Sequence, residues 1–471
     1  MSELAARLPA ALARLLPDFR ALQSCERLSG GASQETWRLA VDTAEGPKRY
    51  ALRRAPGGVA SPAETTVGLE TEAKLLAIAH AAGVPEPRVA GMLEPGDGLG
   101  TGFVMEWLEG ETLGHQVLRS EALAEVRLGL ARQCGEVLAR IHAIDPGGLR
   151  GLLPERSPEQ LVLETWETYI GYGTPQPMID YTARWLLQHL PPPVEPRLVH
   201  GDFRNGNLMI AAGQGIVGVL DWELAQIGDP LRDLGWLCTP SWRFGRHDMA
   251  VGGFGHIDDL LEGYADIAGE RPEPERLHWW IVFGAFWWSV GALTMTQFHR
   301  QGPDRSAERV AIGRRSSECQ IDCVNLLIPG AALPLEAASS CSSLEMPRAD
   351  ELLDSAMGFL REEVGSHTKG RLSFLAKVAA HSLEIVQREQ LLGGARAARE
   401  QRGLEQLLGH GGSLEPLRRE LCEGLRSGAV ALDRAGLQPL LRQSVADQVA
   451  IDQPKYPGYR LALEWGRARP C

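Results

Sequence analysis

LVHGDFRNGNLMI at 198–210 and GIVGVLDWELAQIGDPLRDLGW at 215–236 form the stretch whose reading decides the fold. His200, Asp202, Asn207, Asp221, Asp229 and Asp233 crowd into what are otherwise apolar, strand-like segments and their turns. A carboxylate set beside apolar strands must find a cation, a metal or several donors, so acids clustered at strand ends point to chemistry. Residues 208–210 and 216–220 read as a hairpin around the turn 211–215, which returns the chain to Asp221. Asn207 and Asp221 could then share one metal.

Asp202 stands five residues before Asn207, the spacing of the protein-kinase catalytic loop. The pattern His-Gly-Asp, four residues, Asn, then Leu-Asp-Trp-Glu and Asp-Pro-x-x-Asp-Leu resembles the aminoglycoside phosphotransferase-like branch of the kinase superfamily, including the domain found in some acyl-CoA dehydrogenases. The resemblance implies an α+β, bilobal protein-kinase-like fold, with a small antiparallel-sheet lobe and a large helical lobe. It implies Asp202 as catalytic base, Asn207 and Asp221 as Mg²⁺ ligands and ATP as phosphoryl donor, with GTP left open. His200 would hold the loop's shape, and Arg204, where kinases often carry a lysine, would stabilise the transferring phosphoryl. Asp229 and Asp233 would brace the loop from a helix start.

Upstream, 28–40 reads LSGGASQETWRLA, a Gly-Gly turn opening into a strand. Backbone amides at Gly30, Gly31 and Ser33 could approach phosphate oxygens without side-chain obstruction. KRYALRR at 48–54 is a strand carrying Arg53 where the family places a lysine, with Arg54 competing from the other strand face. Glu72, on a helix predicted over 71–80, matches the partner of that strand cation. FVMEWLEG at 103–110 is expected to run into the interlobe hinge, with backbone groups at Glu106 to Leu108 meeting the adenine edge.

Downstream of the hinge, apolar spacing predicts one helix over 121–144, stopped by Asp145-Pro146-Gly147, with His142 as a packing or capping residue. The aromatics Trp242, Phe244, Phe254, Trp279, Trp280, Phe283, Phe286, Trp287 and Trp288 read mostly as core packing, and where they line an acceptor site they suit an apolar acceptor better than a polycationic aminosugar. A helix over 306–327 closes the lobe, and 329–347, rich in Ala, Ser and Pro, reads as a linker. Helices near 348–364, 369–392, 395–409, 414–427 and 435–450 then form an all-α bundle. The expected domains are therefore 1–109, 110–328 and 348–471. The last is similar to a small helical companion of such phosphotransferases, and it is expected to dock on the kinase domain or mediate self-association. Members with that pairing resemble kinases of 4-hydroxyacyl-CoA thioesters such as 4-hydroxyvaleryl-CoA, in levulinate breakdown.

A net charge of −12 over 471 residues argues against nucleic-acid binding, which needs a basic surface. Eight scattered cysteines read as reduced thiols. Leu4, Leu8, Leu12, Leu15 and Leu16 describe an amphipathic N-terminal helix rather than a signal peptide. The apolar run 279–295 falls short of the ~20 residues a membrane span needs, so no membrane and a cytoplasmic location are expected. Two other functions stay open: an antibiotic phosphotransferase, and a catalytically decayed nucleotide-binding scaffold.

Overall fold

The computed structural model describes residues 3–28, 34–56, 67–302, 305–337 and 346–465. Two compact units are present: one of 1–157, 193–238 and 242–280, the other of 158–192, 239–241 and 281–471.

The first unit begins with an amphipathic helix, Glu3–Leu15, whose Leu4, Leu8 and Leu12 are buried. They pack with Leu39, Val41, Leu52 and Val104 of a five-stranded antiparallel sheet. Its strands are β1 (Phe19–Arg27), β2 (Glu35–Thr43), β3 (Gly46–Arg54), β4 (Val89–Met92) and β5 (Gly102–Glu106), in the order β1-β2-β3-β5-β4. This is the expected small lobe. The helix Leu69–Ala81 lies between β3 and β4 in sequence and buries Leu75, Leu76 and Ala79 together with Glu72.

Four short strands follow: β6 (Arg197–Val199), β7 (Leu208–Ala211), β8 (Gly215–Val219) and β9 (Gln226–Gly228). β6 pairs with β9 and β7 with β8, so the predicted hairpin is present and the chain doubles back on itself twice around the catalytic stretch. The helix expected over 121–144 is interrupted: a 3₁₀ turn and one helical turn precede Leu130–His142, which starts after Gly129. Gly135 on that helix lies so close to Ile257–Ala268 that a Cβ would stand 2.1 Å from the Leu260 carbonyl oxygen. The close crossing places Tyr264 against His142.

The second unit is helical. Pro158–Gly171 and Pro177–Gln188 pack with Ala307–Arg314, Ser316–Leu327 and the C-terminal helices, with ion pairs from half-buried arginines to buried carboxylates: Arg426 to Asp180 at 2.7 Å and Arg314 to Asp452 at 2.8 Å. The segment 306–327 is thus two helices rather than one. Residues 369–409, expected as two helices parted at Gly393-Gly394, form a single helix, Gly370–Leu408. A mid-helix glycine costs only about 1 kcal/mol, less than the packing of a continuous helix returns. Pro457–Leu463 is a short helix the sequence pattern did not suggest.

The helix Pro274–Gln301 is 28 residues long, longer than the apolar run that marks it, and by length and composition alone could cross a membrane; half of its most apolar window is buried in protein. Most of the aromatics in 242–288 are core, as their helical spacing predicts. Trp279, Trp280, Phe283 and Phe286 are almost wholly buried, as helical spacing on a protein-facing stripe requires.

Candidate active site

β6 ends at Val199 and the chain turns sharply through His200-Gly201-Asp202. Gly201 has φ +83°, and a Cβ there would lie 2.2 Å from the Leu224 carbonyl oxygen, so only glycine fits the turn. The turn is held from below by Asp233, fully buried at the start of the helix Leu231–Cys238. Its Oδ2 accepts the His200 amide and its Oδ1 the Gly201 amide, each at 2.8 Å. His142 Nε2 lies 3.2 Å from the same carboxylate, with Tyr264 Oη 3.0 Å from His142 Nδ1. Burial alone would raise the Asp233 carboxyl, yet His142, His200 and Arg232 hold it below the usual carboxylate range. His200 Nδ1 accepts the Asp202 amide at 3.1 Å, and burial lowers the affinity of its ring for a second proton. It is a neutral brace of the loop.

Every polar partner of the Asp202 carboxylate is a donor. Oδ1 accepts from Trp236 Nε1 at 2.7 Å and from Arg204 Nε at 3.0 Å; Oδ2 accepts from Asn207 Nδ2 at 2.6 Å. Arg204 also lies over the Trp242 ring, 4.4 Å from its centroid. Asn207 Nδ2 donates as well to the Asp202 carbonyl at 3.0 Å, which points the amide nitrogen at the loop and leaves Oδ1 as the oxygen for a cation. The Leu220 amide donates to the Asn207 carbonyl at 2.8 Å, so the hairpin sets Asp221 beside it.

Asp221 has φ +72°, a left-handed conformation that costs a non-glycine residue of order 1 kcal/mol or more and concentrates at functional sites. Its Oδ1 accepts from Arg53 Nη2 at 2.6 Å, while Arg53 Nε lies 3.0 Å from Glu72. Arg53, not Arg54, is therefore the cation that meets Glu72. The structure adds that its second arm rests on Asp221. Among the described residues Asn207 Oδ1 and Asp221 Oδ2 have no hydrogen-bond donor. Two hard oxygen donors on one hairpin suit Mg²⁺, which takes few protein ligands and keeps water and phosphate oxygens for the rest.

Gly30, Gly31 and Ser33 lie outside the described residues. At the hinge, the Glu106 amide donates to the Arg88 carbonyl and that of Trp107 to the Arg49 carbonyl, so neither is free to meet an adenine edge as expected. The residue that sequence reasoning missed is Trp236; Trp242, named only among the aromatics, supports Arg204. Trp236 lies three positions after Asp233 on the same helix face, and that spacing was the available signal.

Burial raises the Glu72 carboxyl to about 7, with Asp221 and Glu223 adding to the rise against the opposing pull of Arg53. Ionised Glu72 is what holds Arg53, so nucleotide-dependent turnover is expected to fall as pH drops through about 7. Glu72→Gln should lower turnover and erase that acid limb in a pH profile. Folding stability moves the opposite way: between about 4.5 and 7 the native state holds the extra proton, so stability declines as pH rises through that window.

Residues 24–279 match the family described as "Phosphotransferase enzyme family", and 366–456 match a "Domain of unknown function (DUF6285)". The rat acyl-CoA dehydrogenase family member 11 is 25% identical over 360 residues, covering 71% of this chain and 42% of that protein. The mouse family member 10 is 30% identical over 203 residues, covering 41% and 18%. The chain thus spans less than half the length of these relatives. Among solved structures, one assigned as an aminoglycoside phosphotransferase from Ralstonia eutropha JMP134 shares the fold, with a TM-score of 0.55 at 23% identity over 67% of this chain and 95% of that one.

Proposed function

The chain belongs to the phosphotransferase enzyme family, and from that premise we propose that it is an ATP- and Mg²⁺-dependent kinase of a hydroxylated acyl-CoA thioester. As a member of that family it transfers a phosphoryl group to the hydroxyl of a small molecule. The observation that carries the kinase reading is the pairing of Asp202 with Asn207 on one arm of the β7–β8 hairpin and of Asp221 with Arg53 and Glu72 on the other, the Leu220 amide bonding the Asn207 carbonyl between them.

In this reading Asp202, fixed by Trp236, Arg204 and Asn207, orients the acceptor hydroxyl and takes its proton as the new P–O bond forms. Asn207 Oδ1 and Asp221 would hold Mg²⁺, which when bound neutralises charge on the phosphate oxygens. Arg53, oriented by Glu72, steadies the donor phosphates, and Arg204, supported on Trp242, faces the charge that develops in transfer. Little covalent chemistry falls to the protein. Positioning and charge supply the catalysis.

The acyl-CoA acceptor draws support from the relatives, whose names place them among acyl-CoA dehydrogenases, and from Phe244. That ring is 40% exposed, sits at φ +46°, and lies with Asn205 of the catalytic loop against Gly114. An exposed aromatic held in a strained backbone beside the loop suits an apolar acceptor body. Phe244→Ala is expected to raise KM for the acceptor by roughly 10-fold, in line with about 1–3 kcal/mol for an apolar pocket contact. KM for ATP should stay unchanged in the same initial-rate measurements. A coupled ADP-release assay offering 4-hydroxyvaleryl-CoA, free 4-hydroxyvalerate and aminoglycosides tests the acceptor. Turnover with the CoA thioester supports the reading, and turnover with aminoglycosides alone defeats it.

A further inference from the structure

The helical unit holds a half-open cavity of about 220 Å³ that shares no residue with the Asp202 network. Its walls come from 174–178 and 313–320 and from the helices Gly370–Leu408, Leu414–Ser427 and Leu437–Asp452, all within that unit. The lining joins the apolar Leu440, Leu441 and Val445 to three guanidiniums, of Arg314, Arg396 and Arg418, and two carboxylates, of Glu400 and Asp452.

Those guanidiniums are unequally satisfied. Arg314 meets Asp452 at 2.8 Å and Glu389 at 2.6 Å, and Gln448 donates to the second Asp452 oxygen at 3.0 Å. Arg418 engages both oxygens of Glu400, with Nε at 2.7 Å from Oε1 and Nη2 on Oε2. Arg396, one helical turn before Glu400, is left only a 3.4 Å contact with that same carboxylate, and its buried Nε has no acceptor among the described residues. Two arginines thus lean on one carboxylate. A guanidinium that is 14% exposed and so weakly paired keeps Nη donors for an acceptor in the cavity it lines.

We infer that this cavity binds a small amphipathic anion, its carboxylate or phosphate monoester received by Arg396 and its short apolar body lying against Leu440, Leu441 and Val445. Arginine's fork of donors matches both anionic groups. The volume sets the size. It equals roughly seven waters at about 30 Å³ each, room for a short-chain acid or ester. The inference stands independently of the kinase reading.

Isothermal titration of the full chain with butanoate, butyl phosphate and inorganic phosphate, at constant ionic strength, tests it. Saturable binding of butanoate or butyl phosphate is expected, the tighter of the two identifying the anionic group. Arg396→Met should weaken it by ~10-fold or more, the loss of a charge-assisted contact. Ser444→Phe, from a half-buried lining position, should obstruct the cavity while leaving every charge in place and so abolish binding. Absence of saturable binding by all three probes, or binding unchanged in both variants, would overturn the inference. Inorganic phosphate binding as tightly as both butyl compounds would overturn its apolar half.

Discussion

Asp202→Ala is expected to lower turnover by roughly 10²–10⁴-fold, the usual contribution of a positioned general base, while leaving nucleotide affinity within a few-fold of the parent. The separation follows from where the carboxylate sits: its oxygens contact Trp236, Arg204 and Asn207, and the strand cation Arg53 is held by other groups, Glu72 and Asp221. Asp202→Asn is a less innocent replacement than its shape suggests. All three partners are donors, so an amide would set one N–H group against another. Calorimetric ATP titration beside initial rates distinguishes loss of chemistry from loss of the nucleotide site.

Asp221→Asn carries the second large effect. Asparagine tolerates left-handed backbone better than most residues, so φ +72° should be retained and thermal unfolding little changed. What changes is charge: the variant offers a cation an amide oxygen and offers Arg53 no anion. Turnover is expected to fall by ~10²-fold or more, and the Mg²⁺ concentration needed for half-maximal rate to rise. A Mg²⁺ titration of initial rates checks both. A variant with parental rate and parental Mg²⁺ requirement would remove Asp221 from the metal site.

The catalytic stretch was legible because its chemistry is local. Asn207 and Asp221 are joined by a short hairpin whose turn residues announce themselves, and the acids stand out against apolar strands. Arg53 and Glu72 became legible through the resemblance, which supplied the pairing that periodicity cannot. The supports of the loop were not legible to the same degree. Trp236 reaches Asp202 across 34 positions and His142 reaches Asp233 across 91, and apart from the three-residue spacing of Trp236 from Asp233 nothing in local pattern points to either contact. β1 escaped notice because none of its residues is fully buried, which leaves no alternation to read. Helical spacing marks most of the aromatic run as a buried stripe, and protein covers most of it, but that spacing does not single out Phe244 as the exposed ring.

Phosphorus NMR of the products formed from ATP, Mg²⁺ and 4-hydroxyvaleryl-CoA tests the central claim most directly. A phosphate monoester on the acceptor hydroxyl with the parent chain, and none above background with Asp202→Ala, is the predicted result. Free phosphate without any ester, or the same ester at parental rate from Asp202→Ala, would contradict it.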